Sequence, residues 1–232
     1  METEHLIRIF DIEAEVLEAA VKGHPSLKPL FSPGSQERGA GELREAYLRL
    51  LKMSADYVRY SVPMLRASGE ALQSGDEEDR AWSELFLDYA HDETEGEERY
   101  GHHVWAINDM RALGAEEVRI DAPAHPSAVV YGKFFVENAR LHPYAVLGTK
   151  GVLEHFSLLI CDDLVKGVIE SGIENAENAT SFFHHHGVLD IDHVRTGDKN
   201  LGGLKSPEKR AQVLEGAYFT SGSYRAFLRL CV

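Results

Sequence analysis

The chain has 232 residues, of which 44% are hydrophobic and 27% charged, the composition of a folded globular protein rather than of a disordered one. Its 38 acidic and 24 basic side chains give a formal charge of −14, which argues against nucleic acid as a partner. The two cysteines form no C-x-x-C pair, and we expect a cytoplasmic protein with no signal peptide and no membrane span.

Apolar residues recur at helical spacing along almost the whole chain, and this periodicity predicts about seven helices. The expected helices cover residues 5–21, 42–72, 77–113, 127–140, 143–169, 177–194 and 207–232. Pro63 predicts a bend in the second helix because proline lacks the N–H that the helical ladder needs. A loop rich in glycine and lysine is expected over 197–205. The pattern predicts one all-α domain over residues 1–232, a helix bundle.

The sixth predicted helix carries the motif H-x-x-x-D-x-x-H, formed by His186, Asp190 and His193. Offsets of four and seven residues place all three side chains on one helix face. Two imidazoles and a carboxylate on one stripe form half of a transition-metal site, although surface histidines and aspartates are also common. His184 and His185 lack this register and are expected to lie in solvent or behind the ligands.

An acidic run in the third predicted helix ends in a second candidate half-site. Glu95, Glu98 and His102 share one face at offsets of three and seven residues. Most acids of this run are expected in solvent. The apolar positions on either side of the run should nevertheless keep the middle of this helix against the bundle, and buried acids need a partner such as a metal.

A third candidate is Glu154, the single carboxylate in the otherwise apolar stretch 151–160. It could be a surface glutamate of an amphipathic helix or, together with the other candidates, a carboxylate that bridges two metal ions. Three histidines and three carboxylates are too rich in oxygen donors for structural zinc. They suit iron or manganese, as a pair of ions in the core of a helix bundle.

With these motifs the chain resembles the heme-oxygenase-like diiron oxidases, a CADD-like group of iron-containing redox enzymes with the seven-helix TenA/PqqC-like fold. The resemblance runs from about residue 45 to the C-terminus. It rests on the glutamate seven residues before a histidine, the lone glutamate and the closing H-x-x-x-D-x-x-H. The resemblance implies two Fe(II) ions, or a Mn/Fe pair, with O2 as co-substrate. The implied ligands are Glu95 (alternatively Glu98 or Glu93), His102, Glu154, His186, Asp190 and His193.

The resemblance also implies O2-dependent oxidation of a small organic molecule by N-oxygenation, desaturation or C–C cleavage. We favour an amino-acid-like substrate, whose carboxylate could meet Tyr131, Lys133, Lys150 or Arg99. Two alternatives stay open: a TenA-like, metal-independent hydrolase with histidines as acid–base groups, and a non-catalytic bundle that binds a small molecule or a protein partner. The apolar face of the last predicted helix could support a homodimer.

Overall fold

The computed structural model describes residues 2–32, 39–94 and 101–232, and these residues contain helices and no β-strand. The prediction of an all-α protein is therefore confirmed for the described part of the chain. Two short 3-10 turns, Lys28–Phe31 and Ala176–Asn178, accompany the α-helices. The α-helices are α1 (Thr3–Lys22), α2 (Ala40–Val58), α3 (Ser61–Leu72), α4 (Glu77–Asp92), α5 (His103–Ala112), α6 (Glu117–Ile120), α7 (Pro126–Asn138), α8 (Ala145–Glu170), α9 (Ser181–Leu201) and α10 (Pro207–Cys231).

Helix α8 is the central element, and it packs against α1, α9 and α10. Where α8 crosses α10, each helix places one glycine at the point of contact. A Cβ atom on Gly148 would collide with the backbone of Val213, and one on Gly216 would collide with the backbone of Ala145. The two helices therefore pack backbone against backbone, because neither glycine carries a side chain that would hold them apart.

Buried apolar side chains from α8 and its neighbours form a continuous core, which includes Val152, Phe156 and Leu164 of α8. Helix α2 packs against both α5 and α7, and α3 packs against α4. Among the described helices, none combines the length and the apolar character needed to cross a bilayer.

The second predicted helix is two helices, α2 and α3, which are separated at Arg59 and Tyr60. The break lies one turn before Pro63, where the sequence predicts only a bend. Proline removes the hydrogen bond to the carbonyl four residues earlier and its ring collides with that carbonyl, which belongs here to Arg59. The effect of Pro63 therefore falls on the preceding turn.

The third predicted helix is also divided, because α4 ends at Asp92 and α5 begins at His103. Gly101, just before α5, has a φ of +82°, a left-handed conformation that interrupts a helix. Helix α9 in turn runs to Leu201, seven residues beyond the predicted end, so the first part of the expected 197–205 loop is helical. Gly197 lies inside this helix at a position where a Cβ would meet nothing within 4 Å.

Candidate metal centre

The start of α9 is fixed by Asp109 of α5, a carboxylate that is 1% exposed. One of its oxygens accepts hydrogen bonds from the amide and hydroxyl of Ser181, and the other accepts from the amide of Phe182 at 2.8 Å. Burial raises the pKa of Asp109, although these donors oppose the increase. The first turn of the helix that carries the histidine motif is therefore attached to α5.

Phe182 also orients His186, the first histidine of the motif. The imidazole of His186 lies with Nδ1 2.7 Å from the carbonyl oxygen of Phe182, one turn earlier on α9. A carbonyl can only accept, so Nδ1 carries the hydrogen and Nε2 keeps its lone pair. A hydrogen bond from the far ring nitrogen to a carbonyl is the usual way in which proteins orient a metal-binding histidine.

Three predicted ligands, Glu154, Asp190 and His193, lie together where α8 packs on α9. Donor atoms of the three side chains lie within 4.8 Å of one another. His193 Nδ1 is 3.1 Å from Asp190 Oδ1 and 3.7 Å from Glu154 Oε1. Ser157 donates a short hydrogen bond to Asp190. Burial alone would raise the pKa of Asp190, but His193, His186 and Ser157 outweigh it and lower the pKa, so the carboxyl is ionised.

Two further side chains contact this cluster from α4 and α8. The hydroxyl of Tyr89 donates to Glu154 Oε1 at 2.8 Å and lies 2.9 Å from His193 Nδ1. The ammonium of Lys150 is 2.7 Å from Glu154 Oε1 and 2.9 Å from the centroid of the Tyr89 ring. Burial lowers the pKa of Lys150, and the negative charge of Glu154 opposes this effect.

A second group of donors lies on the other side of His186. His102, immediately before α5, is 6% exposed, and its ring centroid is 5.1 Å from that of His186. Its Nδ1 is 3.4 Å from Oε2 of Glu93, the residue that follows α4. Burial, together with the nearby His186, lowers the pKa of His102 to about 3, so this imidazole is neutral and able to bind a metal at ordinary pH.

Two cavities meet at these residues. The inner cavity has about 90 Å³ and is walled mainly by apolar side chains such as Met64, Leu65, Phe156 and Phe182. The outer cavity has about 350 Å³, and its lining contains Trp82, Phe86, Leu147, Asp192 and Asn200. Tyr89, Lys150 and Glu154 border both cavities.

The predicted substrate-binding residues do not share one environment in the structure. Tyr131 lines the inner cavity, and its buried hydroxyl lies near those of Thr149 and Thr220 without a well-formed hydrogen bond to either. Lys150 borders the cavities but is paired with Glu154. Lys133 is an exposed side chain 3.8 Å from Glu137 and lines neither of the two cavities, so its contact with a substrate stays a prediction that these cavities do not support. Arg99, predicted as another anchor, lies outside the described residues.

Of the predicted metal ligands, the structure describes His102, Glu154, His186, Asp190 and His193. Glu95 and its alternative Glu98 lie outside the described residues, whereas the alternative Glu93 lies beside His102. Sequence reasoning did not find Tyr89, Ser157 and Asp109. Each of them meets a residue more than 30 positions away in the chain, and no short motif records such a pair.

The donors fit iron or manganese. Imidazole and carboxylate together suit the middle of the first transition series, and no cysteine is among the donors. Cys161 lines the inner cavity, and burial raises the pKa of its thiol, which disfavours a thiolate nucleophile there.

Comparison with known proteins identifies the fold and the family. The chain is similar to a crystal structure from Shewanella denitrificans OS217 that is described as a domain of unknown function with a heme oxygenase-like fold. The structural alignment covers 94% of this chain and 88% of that chain. The TM-score is 0.75 and the sequence identity 15%. The chain therefore has a heme oxygenase-like fold, as predicted. No curated protein matches it. Residues 48–222 match the model of a family described as "iron-containing redox enzyme", and the chain belongs to that family.

Proposed function

We propose that the chain is a nonheme diiron oxidase or oxygenase that uses O2 to oxidise a small organic molecule. The observation that supports the proposal is that donor side chains meet the α9 motif at both of its ends, near His186 and near His193. In one group, Glu154, Asp190 and His193 have donor atoms within 4.8 Å of one another. In the other, His102 Nδ1 is 3.4 Å from Glu93 Oε2, and the ring of His186 is 5.1 Å from that of His102 between centroids. Both groups border a cavity large enough for part of a small substrate.

Each group would hold one ion. The sequence prediction adds Glu95, or Glu98, as a further ligand. A bound Fe/Fe or Mn/Fe pair would supply two of the four electrons that reduce O2, the substrate that is oxidised would supply the other two, and an external reductant would return the metals to the divalent state. The residues of the chain hold the donors in position: Ser157 orients the carboxylate of Asp190, and the Phe182 carbonyl orients the imidazole of His186.

The inner cavity would seat the part of the substrate that is oxidised. Its apolar walls exclude water from the reacting group, which protects an activated centre from side reactions. An amino acid or a similar metabolite with an apolar side chain fits this arrangement. Its side chain would enter the inner cavity and its carboxylate would meet Lys150, the cation that borders both cavities.

The proposal is tested by iron stoichiometry after anaerobic Fe(II) loading, followed by O2 uptake in a stopped-flow cell. The wild type should bind two Fe(II) ions per chain and consume O2 rapidly. His186→Ala should lose iron and O2 uptake. His184→Ala, a change of an exposed histidine on the same helix, is the matched control and should keep both. Absence of bound iron in the wild type would favour the hydrolase or the non-catalytic binding protein.

The substrate class is tested by a screen of amino acids against their decarboxylated amines, with O2 uptake as the signal. Amino acids should accelerate O2 uptake more than the corresponding amines. Lys150→Met should remove this difference, because the ammonium that would meet the carboxylate is gone. Lys133→Met, an exposed lysine, should retain it. Equal stimulation by acids and amines in the wild type would contradict the amino-acid assignment and leave the diiron assignment intact.

A further inference from the structure

The phenol oxygen of Tyr89 lies among the donor atoms of Glu154, Asp190 and His193. It is 2.8 Å from Glu154 Oε1 and 2.9 Å from His193 Nδ1. Tyr89 is also one helical turn before Glu93, whose amide donates to the Tyr89 carbonyl. The end of α4 therefore directs one side chain to each donor group: Glu93 to His102, and Tyr89 to Glu154 and His193.

The spacing of these atoms is that of neighbouring ligands on one metal ion. First-row divalent ions bind nitrogen and oxygen donors at about 2.1 Å, so two donors at a right angle are separated by about 3.0 Å. The two distances from the Tyr89 oxygen are within about 0.2 Å of that value. His193 Nδ1 is 3.1 Å from Asp190 Oδ1, which is close to the same value, and 3.7 Å from Glu154 Oε1, which corresponds to a wider angle at the ion.

A cation and a carboxylate both contact Tyr89. The Lys150 ammonium lies 2.9 Å from the centroid of the phenol ring and 2.7 Å from Glu154 Oε1, the carboxylate oxygen to which the phenol donates. The ammonium thus offsets the negative charge of Glu154 beside the phenol oxygen, and the positive charge of a bound metal ion would favour the phenolate. The side chain of Tyr89 borders the outer cavity, which gives a released proton a path to solvent.

We propose that Tyr89 is a ligand of the metal ion held by Glu154, Asp190 and His193, and that it binds iron as a phenolate. The phenol O–H bond breaks, the oxygen lone pair forms the bond to iron, and the proton passes to solvent. This inference rests on the proposed iron site. It adds a ligand that neither the sequence motifs nor the family assignment contains.

The experiment is resonance Raman and visible absorption spectroscopy of the protein loaded anaerobically with Fe(II) and then oxidised to Fe(III) with hydrogen peroxide. A phenolate bound to Fe(III) gives a visible charge-transfer band, and excitation into this band enhances the ring vibrations of the tyrosine. The wild type should show these lines. Tyr89→Phe should lose them and retain measurable iron. Tyr144→Phe also removes a phenol that bonds a carboxylate, but outside the site, and should retain them.

Each other result is decisive. Bound iron without tyrosine lines in the wild type would overturn the Tyr89 assignment and leave the iron site standing. Lines that persist in Tyr89→Phe would assign another tyrosine and also overturn it. No bound iron would overturn both proposals. If Tyr89→Phe does not fold, 3-fluorotyrosine incorporated at position 89 replaces it: the lines should shift, and unshifted lines would refute the assignment.

Discussion

Asp109 and Phe182 are joined by a hydrogen bond of 2.8 Å. This bond attaches α5, the helix that follows His102, to the first turn of α9, the helix that carries His186. The amide of Phe182 donates to Asp109, while its carbonyl lies 2.7 Å from Nδ1 of His186. Asp109, two turns beyond His102, thus holds the residue whose carbonyl orients the imidazole of His186. Asp109 is a positioning residue in this arrangement.

Replacement of Asp109 by asparagine should lower the free energy of unfolding by about 1–3 kcal/mol, because an amide NH2 group would face the N–H donors of α9. Urea unfolding measures the change. Asp192→Asn is the control, since Asp192 is an exposed residue of α9 paired only at the surface with Arg195, and it should change stability by less than about 0.5 kcal/mol. Equal effects of the two variants would contradict the positioning role.

The crossing of α8 and α10 gives a second prediction. Gly216→Ala should destabilise the protein by about 1–3 kcal/mol, because its Cβ would force the backbone of Ala145 away. Gly222→Ala lies on the same helix, where a Cβ would meet nothing within 4 Å, and it should stabilise by about 0.5–1 kcal/mol through its helix propensity. Thermal and urea unfolding would show the opposite signs, and the same sign in both variants would refute the close crossing.

Ser157 gives a prediction for metal affinity. Its hydroxyl donates to Asp190, and Ser157→Ala should weaken binding of Co(II) or Fe(II) by about 10- to 100-fold, because a metal-binding carboxylate loses its orienting donor. Anaerobic calorimetric titration measures the affinity. Ser171→Ala removes a comparable buried hydroxyl bond at the end of α8, far from the donors, and should leave the affinity unchanged. An unchanged affinity in Ser157→Ala would show that the donor is dispensable.

A pH-dependent contribution to stability comes from Lys209, which joins the start of α10 to the start of α4. Its ammonium lies 2.7 Å from Asp79 Oδ1 and 2.9 Å from Glu78 Oε2. Burial alone would raise the pKa of Asp79, but Lys209 and Tyr144 outweigh it and lower the pKa below its ordinary 3.8. Burial alone would lower the pKa of Lys209, but Asp79 and Glu78 raise it above its ordinary 10.5.

The stabilisation by Lys209 should therefore be complete between about pH 4 and pH 10. It is lost as pH falls through the lowered pKa of Asp79, and again as pH rises through the raised pKa of Lys209. Lys209→Met should lower the free energy of unfolding by about 1–2 kcal/mol at pH 7, a modest value because solvent reaches part of the cluster. The loss should be much smaller at about pH 2, where Asp79 takes up a proton. Urea unfolding at both pH values measures this difference. Lys133→Met should cost nothing at either pH, and an equal cost for Lys209→Met at both would exclude ionic stabilisation.

The sequence predicts local features of this protein well. Periodicity gives α1, α8 and α10 within a few residues, because each buries a regular apolar stripe. The face shared by His186, Asp190 and His193 is likewise a property of one helix. The breaks in the second and third predicted helices depend on Pro63 and on the left-handed Gly101, whose effects on neighbouring turns are only partly visible in the pattern.

Contacts between helices are harder to predict. The hydrogen bond from Tyr89 to Glu154 spans 65 positions and that from Ser157 to Asp190 spans 33. Which residues meet depends on the crossing of α4, α8 and α9, which packing of the whole core decides. Lys133 and Lys150 look equally suitable as carboxylate anchors in the sequence. Only the packed structure shows that the first is exposed and the second is paired with Glu154.

Glu154 and Lys150 border the inner cavity, the outer cavity and a small third cavity of about 40 Å³ beside α1. A molecule that occupies any of these spaces and moves Lys150 changes the charge balance at the same carboxylate. Binding events at the different cavities are then linked by one coupling free energy, and this coupling is reciprocal. If a substrate strengthens the binding of a metal ion at Glu154, the metal ion must strengthen the binding of that substrate by the same factor.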